Sequence, residues 1–169
     1  MHSIQQQIDI LRERISRAAE QSGRTSAAVT LLAVSKTRSS AEIRAAHAGG
    51  LRNFGENYLQ EALPKIRALS DLDLCWHFIG AVQSNKTRDI CQHFQWVHTL
   101  DREKIARRLS RQRQEFAPQQ PLNVCIQINI DREPQKAGIA PTELPALLTQ
   151  LADCDGIRLR GLMAIPEAG

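Results

Sequence analysis

The run Thr30-Leu31-Leu32-Ala33-Val34-Ser35-Lys36, followed by Thr37-Arg38-Ser39-Ser40, sets the frame for the rest of the chain. Its apolar part, Val29–Val34, is short, bounded and partly β-branched, which predicts a buried strand of a parallel sheet. The small polar residues after it predict a turn, and Ala41–Ala48 a helix. Lys36 then stands at the C-terminal end of a buried strand, where open α/β sheets and barrels place their ligands. A lysine desolvated there has a lowered pKa and can attack a carbonyl as a neutral amine. The alternative, for one lysine taken alone, is a side chain snorkelling from a strand end into solvent.

The same strand–helix unit recurs along the chain. Ser3 and Gln6 form a capping box, and Ile4, Ile8, Leu11 and Ile15 stripe a first helix that Gly23 stops. Ser39 with Glu42 caps the next helix, which ends at Gly49-Gly50. A second strand is expected at Leu51–Phe54, with the turn Gly55-Glu56-Asn57 and a helix from Tyr58 to Leu69. Cys75–Ile79 is a third strand, followed by the polar loop Gln83-Ser84-Asn85 and a helix to His93. Trp96–Thr99 is the fourth, with Asp101 as N-cap of an arginine-rich helix. Asn123–Ile130 is the fifth, and a helix from Thr142 to Ala152 leads to a sixth at Leu159–Ile165.

Six strands alternating with helices predict an α/β fold with a parallel sheet and right-handed crossovers. A doubly wound sheet and a (β/α)8 TIM-type barrel both fit that count. No Gly-rich phosphate loop follows the first strand, which counts against the dinucleotide-binding version. Polar residues recur after several strands (Lys36, Asn57, Gln83 and Asn85, Asp131), as expected where successive loops ring one barrel mouth. A barrel needs about eight strands; with repeats of roughly 25–30 residues, about 60 more residues are needed for closure. The expectation is one barrel domain over residues 1–169, truncated after the sixth strand, with unpaired edges on strands one and six.

At 169 residues and 42% hydrophobic, the chain suffices for a single core. The net charge of +4 comes from 17 arginines and only five lysines, so each lysine merits scrutiny. Positive charge suits an anionic small ligand or nucleic acid. The most basic stretch, Arg102–Arg113, has Ile105, Ala106, Leu109 and Phe116 at helical spacing, which predicts a solvated amphipathic helix with outward arginines. No aromatic residues interleave with those charges, which argues against a nucleic-acid platform. Cys75, Cys91, Cys125 and Cys154 form no C-x-x-C pair and are expected as reduced thiols of a cytoplasmic protein. The first residues carry no signal-peptide core, and no run reaches membrane-spanning length, so no membrane contact is expected. His77, His93 and His98 lack the neighbouring carboxylates or cysteines of a metal site; His77, between Trp76 and Phe78, is expected as a hydrogen-bonded barrel histidine.

Several segments together resemble a known family: Leu32-Ala33-Val34-Ser35-Lys36-Thr37; Asn53-Phe54-Gly55-Glu56-Asn57-Tyr58; Trp76-His77-Phe78-Ile79-Gly80 with Gln83-Ser84-Asn85-Lys86; His98-Thr99-Leu100-Asp101; Ile126-Gln127-Ile128-Asn129-Ile130; and Gly161-Leu162-Met163. In this order and spacing the chain resembles the pyridoxal 5′-phosphate homeostasis protein family, whose barrel is shared with the N-terminal domain of alanine racemase. The resemblance implies that Lys36 forms a Schiff base with the aldehyde of pyridoxal 5′-phosphate and that Asn57 lies beside the cofactor. For Asn57 the residues alone allow an ordinary turn position. Ala81-Val82 stands where relatives often carry Pro or His followed by Leu. Lys136 matches a lysine after strand five that could relay the cofactor, although a surface lysine explains it as well. Met163 is read as core packing. The family's phosphate-binding loops, and an arginine facing the pyridine nitrogen, would lie beyond strand six.

The implied function is non-catalytic: intracellular buffering of pyridoxal 5′-phosphate, or its delivery to apo-enzymes, by a protein that is monomeric at full length. The alternative is a pyridoxal-phosphate-dependent amino-acid enzyme of racemase type, which needs a second base; Tyr58, the one tyrosine, begins a helix. Further alternatives are a Schiff-base aldolase acting through Lys36 and RNA binding through the arginine-rich helix.

Overall fold

Six strands, β1 (Ala33–Val34), β2 (Asn53–Glu56), β3 (Cys75–Phe78), β4 (Trp96–Leu100), β5 (Leu122–Gln127) and β6 (Ile157–Met163), form one parallel sheet in sequence order. The helices are α1 (Ile4–Gln21), α2 (Ser40–Ala48), α3 (Leu59–Ala68), α4 (Thr87–His93), α5 (Glu103–Phe116) and α6 (Leu144–Leu151). The computed structural model describes residues 3–133 and 135–167. A doubly wound sheet reverses its strand order at a switch point. Here the order never reverses, as in a barrel, and right-handed crossovers then place every helix on the same face. The arc is open: β1 and β6 are its two edges among the described residues.

The first two helices start where their sequence signals place them. Ser3 and Ser39 both cap through their hydroxyls, with Gln6 and Glu42 closing the two capping boxes. The core lies between helices and sheet, with Phe54, Trp76, Phe78, Val97, Val124 and Ile126 from the strands meeting Ile43, Ile90, Ile105 and Leu109 from the helices. Phe78 meets Phe94 edge-on at 5.4 Å between centroids.

Several boundaries differ from the sequence expectation. β1 is two residues, not six, and Ser26–Ala28 before it forms a 3-10 turn. As an edge strand it has a ladder on one side only, and Val34 is left 51% exposed. β2 begins two residues late and takes Gly55 and Glu56 into the strand, because their register with His77 and Phe78 extends the ladder. Asp101 is not the cap of α5: Arg102 occupies that position, and Asp101 pairs with it instead. β5 ends at Gln127, after which Ile128 only bridges Ile139. β6 starts two residues early.

The arginine-rich helix is amphipathic, with Ile105, Ala106 and Leu109 buried and Arg107 and Arg111 outside. Arg113 breaks the outward pattern. It is buried and donates to the carbonyls of Gln120 (2.7 Å), Cys91 (2.6 Å) and Phe94 (3.1 Å), which ties α5 to the end of α4. Burial lowers its pKa, yet the three acceptors replace lost water. Replacing Arg113 with Met fills similar space but orphans three carbonyls. Urea unfolding is expected to show a loss of about 2–4 kcal/mol.

Candidate functional site

Strand alternation sorts the residues around Lys36. Ser35 is buried, and its hydroxyl donates to Glu56 Oε1 at 2.6 Å. Glu56 in turn reaches Lys65 of α3, so Ser35 and Glu56 face the helices. With a period of two, Val34 on β1 and Gly55 on β2 face the other side. Val34 pairs with Gly55. Lys36 lies two residues past that pair, in the turn closed by the Arg38 amide on the Ser35 carbonyl, and Asn57 lies one residue past β2, so both sequence-predicted site residues follow the C-terminal ends of adjacent strands, outside the ladder.

The expected burial of Lys36 is not observed. The residue is exposed, since β1 is a sheet edge and Lys36 lies just beyond its last ladder pair. Asn57 is half-buried, and its Oδ1 is shielded from solvent with no hydrogen-bond partner. Such an oxygen is suited to accept a bond from a ligand hydroxyl or N–H. The loop after β2 is pressed against the loop after β3: a Cβ on Gly80 would sit 2.0 Å from the Asn57 carbonyl oxygen, so only glycine fits there. Between these loops opens a cavity of about 290 Å³, lined by Asn57, Tyr58, Gln60, Gln83 and Lys86 among others. Lys36 is not among its lining residues, so the cavity adjoins Asn57 rather than the lysine.

Three residues that sequence reasoning did not single out surround the lysine's turn. Glu56 is fully buried, and its Oε1 accepts from Lys65 Nζ at 2.8 Å as well as from Ser35. Lys65 Nζ also donates to the Ser35 carbonyl at 2.9 Å. The Thr37 amide donates to Glu61 Oε2 at 3.3 Å. Glu56 and Lys65 lie nine positions apart and come from a strand and a helix, so no local spacing announces them. Glu61 and Lys65 have the i, i+4 spacing of an exposed helix pair, yet the lysine selects the buried carboxylate instead.

The sheet face away from the helices carries a polar chain. His77 Nε2 lies 3.0 Å from Asn53 Oδ1, and His77 Nδ1 lies 2.8 Å from His98 Nε2. With the Asn53 oxygen as acceptor, His77 donates from Nε2 and accepts at Nδ1, so its ring is neutral in this network and His98 donates from Nε2. Trp96 stacks on His77 at 5.3 Å, and Arg160 lies over Trp96. The expected hydrogen-bonded barrel histidine is thus what His77 is. Lys136 is ion-paired to Glu133, with Asp131 at 3.7 Å. The Glu133 contact, first among the causes, raises the Lys136 pKa and holds it as a cation, which disfavours the relay-amine role. Met163 is half-buried on β6. Cys91 and Cys154 are buried and Cys75 and Cys125 half-buried; all four are free thiols whose pKa burial pushes up.

The fold and the strand-end lysine define a barrel of the alanine racemase N-terminal type, and the family model described as "Alanine racemase, N-terminal domain" matches residues 7–168. The pyridoxal phosphate homeostasis protein of Pseudomonas aeruginosa is 58% identical over 167 residues, covering 99% of this chain and 72% of that protein. Two solved structures of PipY from Synechococcus elongatus superpose on it. The form without PLP has a TM-score of 0.79 at 41% identity and covers 92% of this chain and 72% of PipY. The form with PLP bound has a TM-score of 0.77 at 40% identity, covering 92% and 71%. The chain belongs to the pyridoxal phosphate homeostasis protein family.

The histidine chain sets a pH dependence of stability. Burial, with a smaller contribution from His98, pushes His77 from 6.5 down to about 3, and burial also lowers His98. Above pH 6.5 folded and unfolded forms are both neutral at these positions. As pH falls from 6.5 toward 3, the unfolded chain takes up protons that the folded chain refuses, so stability is lost. Between pH 7 and pH 5, urea unfolding should show a loss of up to about 2 kcal/mol from His77. His77→Gln should flatten that slope.

Proposed function

We propose that this chain is a non-catalytic carrier of pyridoxal 5′-phosphate that holds the cofactor on Lys36, with Asn57 beside it, and buffers or delivers it inside the cell. The observation that carries the reading is that Lys36 and Asn57 follow closely on the C-terminal ends of the paired strands β1 and β2. Membership of a family named for pyridoxal phosphate homeostasis and the PLP-bound PipY structure support it. The residues fit the group. Lys36 is an accessible primary amine, and Asn57 Oδ1 is a shielded acceptor without a partner.

When bound, the cofactor supplies an electrophilic aldehyde. Lys36 contributes the amine nitrogen that condenses with it to a Schiff base, releasing one water. Asn57 orients what lies beside the lysine through its free oxygen. Neither role needs a residue that moves protons on a substrate, in keeping with a carrier.

A racemase-type enzyme would use the same lysine but requires a second base facing it. Tyr58 is 62% exposed at the N-cap of α3 and lines the adjoining cavity, which supports the carrier reading. Apo-enzymes that use the cofactor are the recipients this role implies, and a monomeric cytoplasmic protein suits it. Among the described residues no helix is long and apolar enough to cross a membrane.

The test is a visible absorption spectrum after addition of pyridoxal 5′-phosphate, for the wild type and Lys36→Ala. A band in the wild type that disappears in the variant, with the pyridoxyl mass on Lys36 after borohydride reduction, is the expected result. A band of equal strength in both would overturn the assignment.

A further inference from the structure

Two carboxylates and a lysine from β2 and α3 converge on the four-residue turn Ser35–Arg38 that carries Lys36. Every polar group of Ser35 is engaged. Its amide donates to the Gly55 carbonyl at 2.9 Å, and its hydroxyl donates to Glu56 Oε1 at 2.6 Å. Its carbonyl accepts from both Lys65 Nζ at 2.9 Å and the Arg38 amide at 3.0 Å, and the latter bond closes the turn. Glu61 takes the Thr37 amide.

Thr37, directly after the lysine, has φ +64°. A β-branched residue leaves that left-handed region unless its surroundings hold it there. The Ser35–Arg38 bond on one side and Glu61 on the other supply that restraint.

Glu56 is 0% exposed and Lys65 only 11%. A buried ion pair is a poor means of adding stability, since apolar residues of similar volume often do as well or better. Its value here is directional. Lys65 and Glu56 are fixed to each other and both to Ser35, so the backbone one bond before Lys36 cannot rotate freely.

Resting on the assignment of Lys36 as the cofactor-bearing amine, we infer that the buried Glu56–Lys65 pair, assisted by Glu61, is the positioning device for Lys36. It fixes the direction in which the amine leaves the strand end, and so selects Lys36 over the other four lysines for reaction with the aldehyde. Holding a reactant in one geometry raises its effective concentration, which is the basis of the selection. Lys65 itself is withheld because its amine is committed to Glu56 and the Ser35 carbonyl.

The experiment measures the rate of pyridoxyl labelling at each of the five lysines, by timed borohydride trapping and quantitative peptide mapping, with circular dichroism as the check on folding. In Glu56→Gln and Lys65→Met, labelling at Lys36 should slow at least tenfold while rates at Lys86, Lys104 and Lys136 stay unchanged. Lys65→Arg keeps the charge and both hydrogen bonds and should restore Lys36 labelling to within threefold of wild type. A general loosening of the fold would move all positions together and would not be rescued by arginine. Glu61 is exposed, so Glu61→Ala folds irrespective of the buried pair; it removes the acceptor of the Thr37 amide and should slow Lys36 labelling three- to fivefold.

Labelling at Lys36 within twofold of wild type in folded Glu56→Gln or Lys65→Met overturns the inference. So does an unchanged rate in Glu61→Ala should the two buried variants fail to fold. A wild type that labels Lys36 no faster than the other lysines overturns the cofactor assignment itself, and the positioning role with it.

Discussion

The six strands run parallel in sequence order, and right-handed crossovers then leave no choice about where the helices go: all lie on one face. Everything else follows from that sorting. One face of each strand must satisfy an apolar layer, and Phe54, Trp76, Phe78, Val97 and Val124 do so. The opposite face is free to carry chemistry, and there Asn53, His77 and His98 gather in a hydrogen-bonded row, with Lys36 and Asn57 just past the strand ends. The same alternation that packs the core thus sets the site, because a one-residue slip in any strand would exchange the two faces.

Two departures from the sorting are informative. Glu56 and Arg113 are charged residues on the packed side, and each is engaged by fixed partners rather than water. Arg113 meets two carbonyls at the end of α4 and that of Gln120 in the loop after α5, and closes a junction that apolar packing alone leaves with unsatisfied acceptors. Glu56 meets Ser35 and Lys65 beneath the turn that bears Lys36. In the first case the charge ties elements of the scaffold together. In the second it holds Ser35, the residue that precedes Lys36.

A carrier has different demands from an enzyme. It must present one amine in a reproducible direction and hold the ligand without acting on it. A strained Thr37 next to the lysine, restrained from both sides, meets the first demand with backbone and charge rather than with deep burial. On the proposed reading, the exposure of Lys36 leaves the amine open to exchange of the cofactor, which a fully enclosed amine would impede.

Much of this was legible in the sequence. The capping serines Ser3 and Ser39, the apolar periodicity of α5 and the ordered alternation of strands and helices are local signals, and local hydrogen bonding makes them reliable. Lys36 stood out because a strand end followed by a polar turn is itself a local pattern, whereas Asn57 was singled out only by the family resemblance. Boundaries of β1 and β2 were not legible, since a strand ends where its neighbour ceases to pair, and neither ladder is encoded in the strand alone. The inward arginine at position 113 and the Glu56–Lys65 pair were equally hidden. The chain's own order determined the parallel fold and the capped starts of α1 and α2, and it singled out Lys36 as a candidate. Only the tertiary structure decided which charges are buried and what they hold, because a buried charge is defined by partners distant in sequence that folding alone brings within hydrogen-bond reach.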